Sequence, residues 1–571
     1  MRTVTAPGLL PPRLLVLAGD PIRAGLLKSL AATADVTVVG GATSSLPGPA
    51  GFGAIIVDQL PIGADASWIT DLQEAVHRGA CLLAIVPPEG ATPSEPATAD
   101  KWWELLGARP TGYHPPGEWF AKKGFGVDEL STRVPDEFGL TDSLIVLDGQ
   151  PDSVAVLNVS VAFADRPVLL SRRLGAGRVV ASGLGTSLEA LRHPEVRTIL
   201  KRALVAPSVL ASSSRSVGLA VLGYGPYGGM GLYHGLAAQA TAGFDLVAAC
   251  DSDAGRRKAA EAEFPGLRAY DGVHDLIADD DVGLVIVATP PSTHHALALE
   301  LIEAGKHVAL EKPMCLTVAE ATHLMEAAAG AGVALTVHQS RRWDADFVAI
   351  KGCVDQGVLG DVFSAETFVG GFDHPCRAWH SEVSVSGGAV YDWGSHHLDW
   401  LLQLMGGFPV QLSAHGHKRV WHDVTNLDQV RVRLTWADGR EAEFVQSDVA
   451  AVRRPKFYIQ GTAGTLVGTY RPVSFERLEP GLGLVSEAAH HAEAPAELHY
   501  GRYEAGAGVS ITSVPLPVVP RFGFHRNLAD HLQFGEPLAV DPASARRVVA
   551  LLEAAQRSTD EGNIAVDLPE L

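Results

Sequence analysis

The sequence predicts an α/β protein made of successive units, and three observations lead there. Four short apolar runs, at 14–18, 36–39, 54–57 and 82–86, are separated by helical patterns such as Ile69 to Arg78. That alternation builds a parallel sheet with helices on both faces. At 217–222 the run VGLAVL leads straight into Gly223-Tyr224-Gly225-Pro226-Tyr227-Gly228, with a helical pattern from Gly229. Farther on the apolar period falls to two, as in Gln429-Val430-Arg431-Val432-Arg433-Leu434-Thr435-Trp436, which is the mark of strands with one buried face.

A chain of 571 residues is too long for one ordinary core. Hydrophobic content of 47% with 19% charged residues is globular. Lys and Arg number 45 against 65 Asp and Glu, a formal charge of −20, which sets aside nucleic acids and anionic membranes as partners. Cys81, Cys250, Cys315, Cys353 and Cys376 show no C-x-x-C spacing and read as reduced thiols. The apolar N-terminus is broken by Pro7, Pro11 and Pro12, and no run reaches membrane-span length. The expectation is a soluble, cytoplasmic protein with no membrane partner.

In the first unit, Trp102-Trp103-Glu104-Leu105-Leu106-Gly107 opens a less regular region rich in Pro, Gly and His, closed by the strand-like 177–185. Cys81 opens a buried strand and reads as core packing, not as a nucleophile on a turn. His114 beside two prolines reads as structural. The stretches "WWELLGARP", "YHPP" and "GAGRVVASGLG" resemble the trehalose-utilisation (ThuA-like) branch of the class I glutamine-amidotransferase fold. The resemblance implies a flavodoxin/amidotransferase-like α/β domain over 1–210. No amidotransferase triad is evident, so this domain is expected to bind or scaffold without catalysis. Residues 206–216, small and aperiodic, read as a linker.

In a strand-turn-helix G-x-G-x-x-G the first glycine makes the turn and the second admits a pyrophosphate; the third lets helix and strand pack closely. Asp251 ends the next strand, 23 residues past Gly228, where an acidic side chain accepts from an adenosine ribose. Gly223, Gly225, Pro226, Tyr227, Gly228 and Asp251 are therefore candidate cofactor-binding residues. NAD is expected over NADP, with Arg256 and Arg257 as the counter-argument. Lys312, in Glu311-Lys312-Pro313, follows a parallel strand where open α/β sheets place ligands. Asp392 and His396, four apart, share one face at the start of a helix. Taken alone they read equally as a helix-dipole carboxylate and a core histidine. His397 lies about 100° around that helix. Adjacent histidines diverge and no H-E-x-x-H occurs, so no metal is expected.

The stretches "VATPPSTHHALALELIEAGKHVALEKP", "GGAVYDWGSHHLDWLLQLMG" and "DPASARRVVALLEAAQRSTDEG" resemble the Gfo/Idh/MocA oxidoreductases over about 217–567. The resemblance implies a Rossmann NAD(P)-binding domain at 216–338. It further implies an α+β substrate-binding domain at 339–571, whose open, mostly antiparallel sheet supports a homo-oligomer, dimer or tetramer. It assigns catalysis to Lys312, Asp392 and His396. It extends the cofactor contacts to Thr289, Pro290, His294, Glu311, Lys312 and Gln339, with a cis bond before Pro313. Substrate contacts fall to Lys312, Arg341, Trp343, Trp379, Asp392, His396 and His397, with Arg342, Asp344, Asp373, His374 and His380 nearby. The implied reaction moves a hydride between a secondary alcohol of a sugar, glycoside or cyclitol and the nicotinamide. One alternative is transient oxidation by a tightly held NAD, followed by elimination, epimerisation or deglycosylation. Another is a non-catalytic dinucleotide-binding scaffold or sensor, against which stand Lys312, Asp392 and His396.

Overall fold

Short runs of Leu, Ile and Val make strands that can be buried on both faces, and the first sheet is built around them. The computed structural model describes residues 13–30, 35–40, 46–58, 60, 64–86, 96–124, 129–132, 134–161, 164–208, 216–225, 229–375, 379–479, 483–490 and 494–569. Its first sheet comprises β1 (Leu14–Leu17), β2 (Val36–Val39), β3 (Ala54–Val57), β4 (Cys81–Ile85), β5 (Ala108–Lys123), β6 (Glu137–Gly149), β7 (Val154–Val161), β8 (Ala164–Leu174) and β9 (Gly177–Ser182). The order is β2-β1-β3-β4-β9-β8-β7-β5-β6. The strands from β2 to β9 are parallel, and those from β9 to β6 antiparallel.

The Pro- and Gly-rich stretch expected to be irregular is instead β5, a strand of 16 residues. Its ladder with β6 shifts register between Pro110 and Gly112 and again between His114 and Gly117. A proline cannot donate to a ladder, and bulges are where strands tolerate it. Sequence punctuation that reads as a loop here marks two kinks in one long strand.

The compact units do not follow the order of the chain. The first gathers Met1–Ser216 together with Ala240–Phe244 and His525–Pro537. Inside it Lys201 Nζ pairs with Glu536 Oε2 at 2.7 Å, and Arg526 Nη2 with Glu195 Oε1 at 2.9 Å. The second comprises Val217–Gln239, Asp245–Phe524 and Leu538–Leu571.

The chain continues with β10 (Val217–Leu222), β11 (Phe244–Cys250), β12 (Arg268–Tyr270), β13 (Leu284–Val287), β14 (His307–Leu310) and β15 (Leu335–Val337), ordered β12-β11-β10-β13-β14-β15. Strand order reverses between β10 and β13, the crevice where doubly wound sheets hold dinucleotides. Next come β16 (Val362–Gly370), β17 (Gln411–His417), β18 (Gln429–Thr435), β19 (Glu441–Ser447), β20 (Phe457–Gly461), β21 (Gly464–Thr469), β22 (Pro472–Glu479), β23 (Gly483–His490), β24 (Glu497–Glu504), β25 (Gly508–Val514) and β26 (Ala565–Asp567). The sheet β25-β24-β21-β20-β16-β19-β18-β17-β26 is antiparallel except for β16 with β19; β22 and β23 pair separately. The helix Ala389–Met405 packs Leu398, Trp400, Leu401, Leu404 and Met405 into a core with Phe444, Phe457 and Ile459 of this sheet. Among the described residues no helix is long and apolar enough to cross a membrane.

Candidate active site

The carboxyl ends of β10, β11, β13, β14 and β15 wall a cavity of about 910 Å³ within the second unit. It opens because the chain after β10 turns on a glycine. Gly223 has φ +97°, and a Cβ there would stand 2.8 Å from the backbone of Ala288 and Thr289. Pro226, Tyr227 and Gly228 lie outside the described residues. Gly223, Gly225, Asp251, Thr289, Pro290 and Glu311 line the cavity, as do Ser252 and Arg256.

Asp251 is buried at the end of β11, where its carboxylate accepts from the backbone N–H groups of Tyr224 at 2.8 Å and Asp253 at 2.9 Å. Arg256 Nη1 stands 3.4 Å from the same carboxylate and covers the open side of Gly225. A carboxylate offers about four lone-pair positions, so acceptor capacity toward the cavity remains. Glycine backbone, an acceptor carboxylate and a roomy crevice fit an adenosine ribose and pyrophosphate.

At the other end stand Lys312, Asp392 and His396. Lys312 follows β14 and precedes a cis peptide to Pro313. Asp392 lies in the first turn of the Ala389–Met405 helix, entered through Gly387 and Gly388. At Gly388 the backbone takes φ +119°, a conformation that side chains rarely adopt and that glycine reaches freely. Lys312 Nζ donates to Asp392 Oδ1 at 2.6 Å and to Asp392 O at 3.3 Å. Burial raises the Asp392 carboxyl, but the charge and hydrogen bond of Lys312, helped by His380 and Arg341, hold it below the usual range. His396 is driven well below the ordinary histidine range, first by burial and then by the charges of Lys312 and Arg341, with Glu311 pulling weakly the other way. It is therefore a neutral imidazole at neutral pH, in the state that accepts a proton.

Around these groups the cavity is aromatic. Trp379 stacks on His380 with centroids 3.7 Å apart, and Arg341 lies 5.0 Å over the Trp393 ring. Trp343, Tyr233, Phe522 and Phe524 complete this wall. Burial pushes the Asp344 carboxyl up to about 6 despite Arg341 Nη1 at 3.2 Å. Phe522 precedes the helix Gly523–Phe534 and Phe524 lies in its first turn, while Tyr233 and Trp393 sit on the helices Met230–Ala240 and Ala389–Met405. The sequence carries one faint signal, the glycine of Arg521-Phe522-Gly523-Phe524; beside it the structure turns Phe522 to φ +57°.

Three of the expected contacts lie elsewhere. His294, expected at the cofactor, is fully buried, its ring nitrogens 2.9 Å from Pro313 O and 2.8 Å from Thr289 O. It braces the two strand-end turns instead of lining the cavity. Gln339, expected at the cofactor, is buried behind His396 with its amide between that imidazole and Ser395 O. His397, expected at the substrate, faces Trp400 and Phe444 at centroid distances of 4.7 and 4.9 Å. The helical rotation that brings His396 to the cavity carries His397 into the core. Among the neighbours, Arg342 is tied to Asp399 at 2.6 Å and His374 to Asp423 at 3.0 Å.

Residues 217–339 match the family model described as the Gfo/Idh/MocA oxidoreductase family, NAD-binding Rossmann fold. Residues 347–467 match the Gfo/Idh/MocA C-terminal domain. Together they place this part of the chain in that oxidoreductase family, with an NAD-binding Rossmann domain. An uncharacterized oxidoreductase of Schizosaccharomyces pombe is 36% identical over 148 residues, which is 26% of this chain and 40% of that relative. The scyllo-inositol 2-dehydrogenase (NADP(+)) of Bacillus subtilis is 26% identical over 351 residues, 61% of this chain and 94% of that protein. A solved NAD-binding protein from Listeria innocua aligns at 28% identity with a TM-score of 0.53, covering 62% of this chain and 97% of that one.

Proposed function

We propose that the protein transfers a hydride between a secondary alcohol of a sugar or cyclitol and NAD, with Lys312, Asp392 and His396 as its catalytic residues. The observation that carries this is the 2.6 Å pair of Lys312 and Asp392 in the same cavity as a neutral, buried His396. When bound, the nicotinamide supplies the hydride acceptor or donor. Gly223, Gly225, Asp251, Thr289, Pro290 and Glu311 would hold the cofactor. His396 takes the hydroxyl proton as the carbinol C–H is broken, and Lys312 donates to the same oxygen as negative charge builds on it. Asp392 orients Lys312 and accepts from a neighbouring hydroxyl. The ring walls of Trp343, Trp379 and Trp393 suit the apolar face of a polyol ring, and Arg341 its hydroxyls.

The similarity to an inositol dehydrogenase supports the substrate class. The Asp251 carboxylate supports NAD over NADP, because it would repel a 2′-phosphate. We read the first unit as a ThuA-like, non-catalytic domain. Its parallel strands β2-β1-β3-β4-β9 follow the flavodoxin-like order, and burial pushes the Cys81 thiol up to about 11. We also read the protein as a cytoplasmic homo-oligomer joined through the sheet bearing Arg431, Arg433 and Glu441, exposed on one face. A panel of inositols, sugars and glycosides with NAD or NADP, followed by reduced-cofactor absorbance, tests the reading. Turnover is expected with at least one polyol and a higher specificity constant with NAD. A higher constant with NADP would overturn the cofactor assignment, and cofactor reduction with no polyol would overturn the reaction.

A further inference from the structure

Gln339 touches the imidazole on which the proposed reaction depends, and its amide is fixed at both ends. Its Nε2 donates to the Ser395 carbonyl at 3.0 Å, and a carbonyl oxygen can only accept. Its Oε1 therefore faces His396 Nδ1, at 3.2 Å. An amide oxygen also only accepts, so the proton in that contact belongs to Nδ1. We propose that Gln339 is a positioning residue that holds His396 as the Nδ1–H tautomer, leaving the Nε2 lone pair to take the substrate's hydroxyl proton.

The inference rests on the reading of His396 as the acid/base given above. In the step, the substrate O–H bond breaks and its proton bonds to Nε2. The C–O double bond forms as the carbinol hydride leaves to the oxidised nicotinamide, and the reverse reaction returns both. Among the charged and titratable groups around the imidazole, Lys312, Arg341 and His397 disfavour a second proton and Glu311 favours one, while Asp392, paired with Lys312, and His380 line the same cavity. A neutral amide suits this setting. It fixes the first proton while stabilising the imidazolium much less than a carboxylate would. Gln339 is 2% exposed and does not line the cavity, so it acts through His396 and not on the substrate. The backbone after β15 delivers it there, since Gln339 N–H bonds Val337 O at 2.7 Å.

The full-length protein labelled with nitrogen-15 histidine gives the tautomer directly, with His396→Ala identifying the signal. The wild type is expected to carry the proton on Nδ1 near neutral pH. Gln339→Met keeps the length but offers no amide oxygen; it should populate the Nε2–H form and lower turnover about 10- to 100-fold with little change in KM. Gln339→Glu should restore the tautomer and move the acidic limb of the rate profile to higher pH, because a carboxylate stabilises the imidazolium. A wild-type His396 protonated on Nε2 overturns the proposal, and so does a folded Gln339→Met variant with unchanged tautomer and turnover. If Gln339→Met does not fold, the wild-type spectrum still decides. Should the tautomer result hold while the wild type reduces no cofactor with any polyol, the functional reading falls and the assignment of Gln339 stands.

Discussion

Two sheets with parallel strands in one chain treat their carboxyl ends differently. Beyond β10, β13 and β14 the strand ends wall a cavity of about 910 Å³. Beyond β1, β3 and β9 the space is occupied by Arg23, whose guanidinium donates to Asp58 at 2.8 Å, Thr186 O at 2.7 Å and Gly185 O at 2.9 Å. Nearby, among the described residues, the cavity walled by Val57, Val86, Trp102 and Trp103 measures about 10 Å³, roughly the room one water needs. The layer architecture is shared, so a ligand site is not a property of the sheet. It depends on what the residues after each strand leave open. Glycines 223 and 225 leave the end of β10 bare, whereas a helix beginning at Pro21 puts an arginine across the end of β1.

The comparison can be broken at Arg23. Arg23→Met removes one partner of a pair whose side chains are 17% and 6% exposed, leaving Asp58 buried without its counter-charge. We expect a loss of about 3 kcal/mol in unfolding of the first unit. Denaturant titration followed by a probe in that unit measures it, and turnover of the intact protein should be unchanged. A loss of activity equal to that of a cavity variant would mean that the filled end also serves the reaction.

A smaller effect sharpens the distinction within the second unit. His397 is held neutral by burial, reinforced by the charges of Lys456 and Arg341, so its folded pKa lies well below the unfolded value. The unfolded state then binds more protons below about pH 6.5, and the contribution of His397 to stability is present above that pH and lost as the pH falls. His397→Leu should change stability at neutral pH by about 1 kcal/mol or less, because its Nδ1 lacks a partner in the core. The variant should also lose less stability on acidification, with turnover intact. Denaturant midpoints at neutral and acid pH, with turnover, check this. A steep fall in substrate affinity would return His397 to the binding site.

The sequence carried the elements whose signal is local. Buried strands read as apolar runs, and the glycine turn and Asp251 read as a strand-turn-helix unit. Asp392 and His396 read as one helical face because their spacing alone puts them together. What it did not carry depends on tertiary placement. β5 was hidden because its prolines sit in bulges. The inclusion of 525–537 in the first unit follows from ion pairs such as Lys201 with Glu536, between residues 335 apart in sequence. The family resemblance implies cofactor contacts at Gln339 and His294. Their side chains turn inward, Gln339 to His396 and Ser395 O, His294 to Pro313 O and Thr289 O.

The account rests most heavily on His396 as the proton acceptor in the second unit's cavity. Its direct test is turnover of His396→Ala on the polyol that the wild type oxidises, with NAD affinity and thermal unfolding measured on the same sample. We expect turnover to fall by about a hundredfold to ten-thousandfold, with NAD binding and melting temperature close to the wild type. A folded, NAD-binding His396→Ala variant that turns over at the wild-type rate would contradict it.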